Sequence, residues 1–223
     1  TSAVPIWTEG RIGGKEVAGK LAPSPTIDQI VPKSPAGPAP PRNPLVVALA
    51  YDGLCTFEFG IVVEVFGLPR PEMGADWYRF AVCAAEDGPL RGLGGIQVVV
   101  DGGLELLREA GTIIVPGWRD PHAPPPEPLL EALRAAHAAG ARLLSICSGV
   151  FVLAASGLLA GRRATTHWRY AGQLREMHPD LKVEPDVLYV DEGSILTSAG
   201  SAAGLDLCLH LVRRDFGPAA ANQ

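Results

Sequence analysis

The chain has 223 residues, of which 47% are hydrophobic and 26 are glycine, and it carries a formal net charge of −5. This length and apolar content suffice for one well-buried α/β domain. No run of about 18 apolar residues is present, so no membrane span is expected. The start of the chain lacks the basic segment and apolar core of a secretory signal. The four cysteines form no Cys-x-x-Cys pair, which favours reduced thiols in a cytoplasmic protein with no metal site and no cofactor.

The first 43 residues differ in composition from the rest. They contain eight of the 21 prolines, a composition typical of solvated backbone that buries no core. We therefore predict a Pro-rich flexible extension over residues 1–43. Residues 44–223 carry seven more acidic than basic side chains. A duplex-binding surface needs clustered positive charge, so this chain is not expected to bind nucleic acid directly.

From Pro44 onward, predicted strands and helices alternate. In chain order they are a strand over 45–51, a helix over 56–68, strands over 78–85 and 96–100, a helix over 104–110, a strand over 112–116, a helix over 127–139, a strand over 142–146, helices over 148–159 and 168–177, paired strands over 187–190 and 194–197, and a helix over 202–215. Alternation with near-continuous apolar strands predicts an α/β fold of three layers (α/β/α), built on a mainly parallel sheet. Binding pockets in such sheets lie at the carboxyl ends of the strands.

Cys147 stands where an apolar strand-like run ends and a helix-like run begins. Ser145 and Gly149, two residues away on either side, are small, as a sharp strand-to-helix turn requires. The sequence therefore predicts a nucleophile elbow with the thiol at its apex. The helix that follows would direct backbone N–H groups at the sulfur, so we expect a thiolate to be favoured.

Three further motifs follow strands or lie close in sequence to the elbow. Glu58 lies among apolar residues at the start of the first helix, where it either donates a hydrogen bond as a carboxylic acid or interacts with the helix dipole. Gly117 and Trp118 follow a strand, and the Gly117 N–H either stabilises an oxyanion or belongs to an ordinary turn. His167, about twenty residues beyond Cys147, is either a proton-transferring partner of the thiol or a capping residue.

Ser148 and the three other cysteines are interpreted as structural residues. The Ser148 hydroxyl is an alternative to Cys147 as the reactive group, although its position at the start of a helix favours capping. Cys55, Cys83 and Cys208 are predicted to be core thiols.

These motifs together resemble a known family. The segment from Ser145 to Trp168, the segment from Tyr51 to Gly67, the sequence Val115-Pro-Gly-Trp-Arg119, and the segment from Leu196 to Gly217 are similar to the PfpI/DJ-one branch of class I glutamine amidotransferase-like proteins. More narrowly, they resemble the N-terminal sensor domain of AraC-family regulators of the FtrA/GlxA type. The resemblance covers residues 44–217 and implies a flavodoxin-like sheet. Residues 218–223 are then a tail, and the helix-turn-helix DNA-binding domain of the regulators is absent from this chain.

The resemblance also implies roles for individual residues. Cys147 would be the elbow cysteine and Glu58 the acid that hydrogen-bonds it, while Gly117 and Trp118 would shape an oxyanion region. Ser148 would add a second backbone N–H, and His167 would take the position of the histidine in the Thr-Thr-His motif. Because Ser148 replaces the histidine that follows the cysteine in PfpI proteases, protease activity is not expected.

Three functions remain open at this point. The first is a sensor domain, homodimeric as relatives usually are, that binds a small-molecule ligand around Cys147. The second is a cysteine-dependent enzyme of the hydratase, glyoxalase or deglycase type, in which Glu58 and His167 move protons. The third is a redox sensor in which Cys147 is oxidised reversibly.

Overall fold

The computed structural model describes residues 39–223. The extension predicted over residues 1–43 therefore lies outside the described residues, apart from its last five.

A six-stranded sheet forms the centre of the fold. The strands are β1 (Leu45–Ala50), β2 (Arg79–Ala84), β3 (Leu90–Arg91), β4 (Gln97–Val98), β5 (Thr112–Pro116), β6 (Arg142–Ile146), β7 (Arg163–Ala164), β8 (Lys182–Val183), β9 (Tyr189–Asp191) and β10 (Ile195–Ser198). The central sheet has the order β2-β1-β5-β6-β10-β9, and β3–β4 and β7–β8 form separate two-stranded pairs. Within the central sheet only β9 is antiparallel to its neighbour. The carboxyl ends of the five parallel strands therefore meet at one edge.

Helices cover both faces of this sheet. They are α1 (Thr56–Val62), α2 (Leu106–Glu109), α3 (Glu127–Ala138), α4 (Val150–Ala155), α5 (Ala171–Met177), α6 (Ala202–Phe216) and α7 (Pro218–Ala221). A π-helical turn, Val63–Gly67, continues α1, and 3-10 turns precede α4 and α5. No helix among residues 39–223 combines the length and the apolar character needed to cross a bilayer.

The pleat of the strands divides the core into two layers. Val47, Ile113 and Leu143 belong to a cluster that includes buried residues of α2, α3, α4 and α5. The alternate residues of the same strands, such as Val46 and Ile114, belong to a second cluster with residues of α1 and α6. Neighbouring residues of a strand point to opposite faces, so the apolar runs in the sequence fill both layers. The predicted three-layer, mainly parallel α/β fold is confirmed.

The differences from the predicted elements lie outside the central sheet. The strand predicted over 96–100 is only Gln97–Val98, and it pairs with β3, which was not predicted. The helix predicted over 148–159 is a 3-10 turn followed by the short α4, and β7 and β8 were not predicted. The short α7 falls in the predicted tail, where its Ala220 and Ala221 pack on the core cluster of α1 and α6. Two-residue strands depend on tertiary contacts and leave no clear sequence pattern.

A buried ionic network joins the amino end of β6 to the last turn of α6. Arg142 donates two hydrogen bonds to the Asp215 carboxylate, at 2.6 Å and 2.7 Å, and the Tyr78 hydroxyl donates a third at 2.5 Å. Burial raises the pKa of the Tyr78 hydroxyl, and the Asp215 charge raises it further. The network joins Tyr78, β6 and α6 at the end of the sheet opposite to Cys147.

Candidate functional site

The predicted elbow is present at Cys147, directly after β6. Cys147 has φ of 56°, a left-handed conformation that is costly for a residue with a side chain. A methyl group on Gly149 would collide with the carbonyl oxygen of Val115, and Ser145 is fully buried. The small residues on either side of the cysteine are therefore required by close packing between the elbow and β5.

The thiol of Cys147 is held in its neutral form. Its side chain is buried, with 8% exposure. Burial raises its pKa to about 12, and the nearby charge of Glu58 raises it as well, while a hydrogen bond from the Ser148 backbone N–H acts in the opposite direction. Our expectation that a thiolate is favoured is wrong, because desolvation and a like charge outweigh the N–H groups that follow the elbow.

Glu58 lies in the first turn of α1 and is 9% exposed. Its charge acts on the thiols of Cys147 and Cys55. Glu58 therefore lies close to the elbow, as the sequence led us to expect. That the carboxyl group also hydrogen-bonds Cys147 stays a prediction.

The Ser148 side chain connects the elbow to the loop after β5 by hydrogen bonds. Its hydroxyl accepts a hydrogen bond from the Trp118 N–H and donates one to the Trp118 carbonyl oxygen, both at 2.9 Å. The Gly117 N–H donates to the carbonyl oxygens of Ile146 and Val115. The N–H groups of Gly117 and Trp118 are thus both occupied within the fold, whereas the second predicted oxyanion donor is the N–H of Ser148. In this structure Gly117 and Trp118 shape the wall of the site without offering free N–H donors, and the Ser148 N–H points at the sulfur of Cys147.

Cys55 also belongs to the site, contrary to its prediction as a core thiol. A methyl group on Gly117 would lie 2.7 Å from the Cys55 sulfur, and the Cys55 N–H donates a hydrogen bond to the Tyr51 hydroxyl at 3.5 Å. Cys55 is half-buried, and burial is the main cause that raises its pKa. The one signal for it in the sequence is its place in the loop after β1, three residues before Glu58.

Trp118 organises the loop that borders the site. Its indole N–H donates to the carbonyl oxygen of Ala123 at 2.8 Å, and its ring lies 4.9 Å from that of Tyr51. The guanidinium group of Arg119 lies over the Trp118 ring and pairs with Glu86. Aromatic and cation–π contacts of this kind fix the loop against the sheet.

His167 has a capping role in the structure. Its Nδ1 accepts a hydrogen bond from the Arg169 N–H at 3.2 Å, at the start of the 3-10 turn that precedes α5. Its ring packs against Gly200, where a methyl group would collide with it. The neighbouring Thr166, which sequence reasoning did not single out, donates its hydroxyl to the Cys147 carbonyl oxygen at 2.8 Å. A proton transfer between His167 and Cys147 stays a prediction.

The described residues contain no group of three or more His, Cys, Asp or Glu side chains arranged to hold a metal ion. The site instead combines two neutral thiols, one carboxyl group and an aromatic wall.

Comparison with known proteins assigns this architecture to a family. The DJ-1/PfpI family model matches residues 45–214, most of the described chain. The chain belongs to the DJ-1/PfpI family. This confirms the resemblance seen in the sequence motifs.

Relatives of this DJ-1/PfpI chain include regulators and an enzyme. The HTH-type transcriptional regulator CdhR of Pseudomonas aeruginosa is 38% identical over 149 residues, which cover 67% of this chain and 44% of CdhR. An isonitrile hydratase of Pseudomonas putida is 37% identical over 92 residues, which cover 41% of this chain and 39% of the hydratase. The chain thus spans less than half the length of these two relatives. In the crystal structure of an AraC family transcriptional regulator from Pseudomonas putida, the fold matches with a TM-score of 0.69 at 22% identity, covering 80% of this chain and 95% of that one.

Proposed function

We propose that this DJ-1/PfpI domain is the ligand-sensing part of an AraC-type transcriptional regulator. In this proposal a small molecule binds in the pocket around Cys147, and the domain acts as a homodimer in the cytoplasm. The relatives named as HTH-type regulators support the regulatory role.

The protonation state of Cys147 is the observation that favours a sensor over an enzyme. A thiol with a pKa near 12 is almost entirely protonated at pH 7, and the thiolate is the nucleophile in cysteine chemistry. His167, the candidate base, already accepts a backbone hydrogen bond. A protonated thiol instead serves as a polar, polarisable wall of a binding pocket.

Ligand binding is tested by thermal unfolding of the full chain against a panel of small metabolites. A ligand at 100 times its Kd adds about 2.7 kcal/mol of stability, which raises Tm by roughly 5–10 °C for a chain of this size. We expect at least one such ligand, and we expect Cys147→Ser to keep most of the shift. A panel without any stabilising compound would contradict the sensor proposal.

A second candidate is a cysteine-dependent hydratase, which the similarity to isonitrile hydratase supports. The Cys147 sulfur would add to the isonitrile carbon while its thiol proton passes to that carbon through Glu58 or His167, and water would then hydrolyse the thioimidate to a formamide and release the thiol. Turnover of an isonitrile that is lost in Cys147→Ser would establish this function in place of a pure sensor. Treatment with peroxide tests the redox alternative, because a treated sample that shows no mass increase on Cys147 would rule it out.

A further inference from the structure

The first turn of α6 is an uncapped helix end beside the elbow. No side chain among residues 39–223 caps the helix, and its first turn contains no acidic residue. The first N–H groups of a helix have no partner within the helix, and they carry a partial positive charge. In contrast, α3 has Glu127 in its first turn. At 15 residues, α6 is long enough to develop this charge fully.

The packing of two glycines places this helix end next to Cys147. A methyl group on Gly204 would lie 2.6 Å from the Ile146 side chain, the residue directly before Cys147. Gly200, on the chain entering α6, packs against the His167 ring. The segment between β10 and α6 therefore lies between the elbow and the Thr-Thr-His motif. Ala202, the first residue of α6, is exposed.

A buried hydroxyl without a partner lies under the same turn. Ser198 is 0% exposed, and its Oγ forms no hydrogen bond within the described chain. It pairs with Ile146 in the parallel register of β10 and β6, so both side chains point to the same face of the sheet. Because Gly204 packs on Ile146, that face is the one covered by the first turn of α6. It is one of four buried side-chain polar atoms of the described residues that form no hydrogen bond; buried hydroxyls in native proteins nearly always have a partner, and a ligand acceptor on this face would supply one.

We propose that Ser198 and the first turn of α6 form an anion subsite of the Cys147 pocket, which takes a carboxylate group of the small-molecule ligand. One carboxylate oxygen accepts the Ser198 hydroxyl hydrogen, and the other accepts the N–H groups of Ala202 and Ala203. Phosphate is the rival anion for these three donors, and the test below compares the two. The positive end of α6 also offsets the repulsion that Glu58 exerts on a bound anion. The subsite rests on the proposed sensor function, because it assigns a chemical class to that ligand.

Sodium propionate and the neutral propionamide are the probes that test the subsite. We expect propionate to produce saturable shifts of the Ala202 and Ala203 amide signals in ¹⁵N-resolved NMR spectra of the full chain. Propionamide should bind at least tenfold more weakly, because it lacks the charge. Sodium phosphate at equal ionic strength forms a third arm, and tighter binding of phosphate than of propionate would overturn the carboxylate assignment.

Two variants make the test specific. Ser198→Ala should weaken propionate binding about tenfold, since it removes a hydrogen bond to a charged group. Ala202→Glu supplies a carboxylate to the first turn from within the chain and should abolish binding. Ala135→Glu, the same change at an exposed position of α3, should bind like the wild type. Unchanged propionate affinity in both Ser198→Ala and Ala202→Glu would refute the subsite.

The subsite and the sensor function fail in different ways. If a metabolite stabilises the wild type, Ser198→Ala and Ala202→Glu equally, the sensor stands and the subsite is wrong. If propionate binds as expected but no metabolite of the panel does, the subsite stands and the sensor proposal falls.

Discussion

Alkylation of Cys147 tests the central physical statement about the site. Burial, followed by the charge of Glu58, raises the pKa of this thiol to about 12. At pH 8 about 1 in 10⁴ of such thiols is ionised, against about 1 in 10 for a thiol of ordinary pKa near 9. The more basic thiolate is intrinsically about 20-fold more nucleophilic. We therefore expect iodoacetamide to react with Cys147 about 50-fold more slowly than with an unhindered thiol.

Mass spectrometry of peptides from the natively alkylated protein measures this rate thiol by thiol. Between pH 7 and pH 10 the rate should rise tenfold per pH unit without a plateau, since the thiolate fraction rises in proportion. Glu58→Gln removes the like charge and should increase the rate at pH 8 several-fold, whereas Glu64→Gln should leave it unchanged. The urea-unfolded chain provides the reference rate. A plateau below pH 9 would refute the reasoning, because it would mean that the thiolate forms readily in the folded protein.

Three further predictions concern stability. Gly149→Ala should lower the free energy of unfolding by about 1–3 kcal/mol, because the methyl group collides with the Val115 carbonyl oxygen; urea denaturation that shows no change would contradict this packing. Asp215→Ala should cost about 3–5 kcal/mol, since Arg142 is left buried without its carboxylate; in a double-mutant cycle, Tyr78→Phe should cost less in that background than in the wild type. Stability should also fall above pH 9, where the unfolded chain releases thiol protons that the folded chain retains on its three thiols with pKa values of about 12. Each thiol then costs about 1.4 kcal/mol at pH 10, and a denaturation midpoint that stays constant from pH 8 to pH 10 would disprove that estimate.

Much of the fold is predictable because it follows from local patterns. The apolar runs that became β1, β5 and β6 alternate with amphipathic helices, and that order favours a parallel sheet. The elbow was predictable as well, since Ser145 and Gly149 leave room where the strand meets the helix. Cys147 was therefore identified from sequence as the apex of a turn.

The electrostatic state of the site was not predictable in the same way. The pKa of Cys147 depends on burial by segments distant in sequence and on Glu58, which lies 89 positions earlier in the chain. The Gly117 N–H was a reasonable oxyanion donor until its bond to the Ile146 carbonyl oxygen was known. Cys55 was predicted to be a core thiol, because the sequence around it does not show that Gly117 packs against its sulfur. Such features arise when separate segments meet, and a single sequence does not record these distances.

The contacts at the two ends of α6 have a mechanical consequence. The helix is about 22 Å long, with Gly204 of its first turn against Ile146 beside the elbow and Asp215 of its last turn bound to Arg142. Ile146 and Arg142 are the two ends of one strand, β6. β6 and α6 are therefore in contact at both of their ends. A change of spacing at the elbow would therefore also act on the ion pair at the other end of β6, because both contacts are made by the same strand and the same helix.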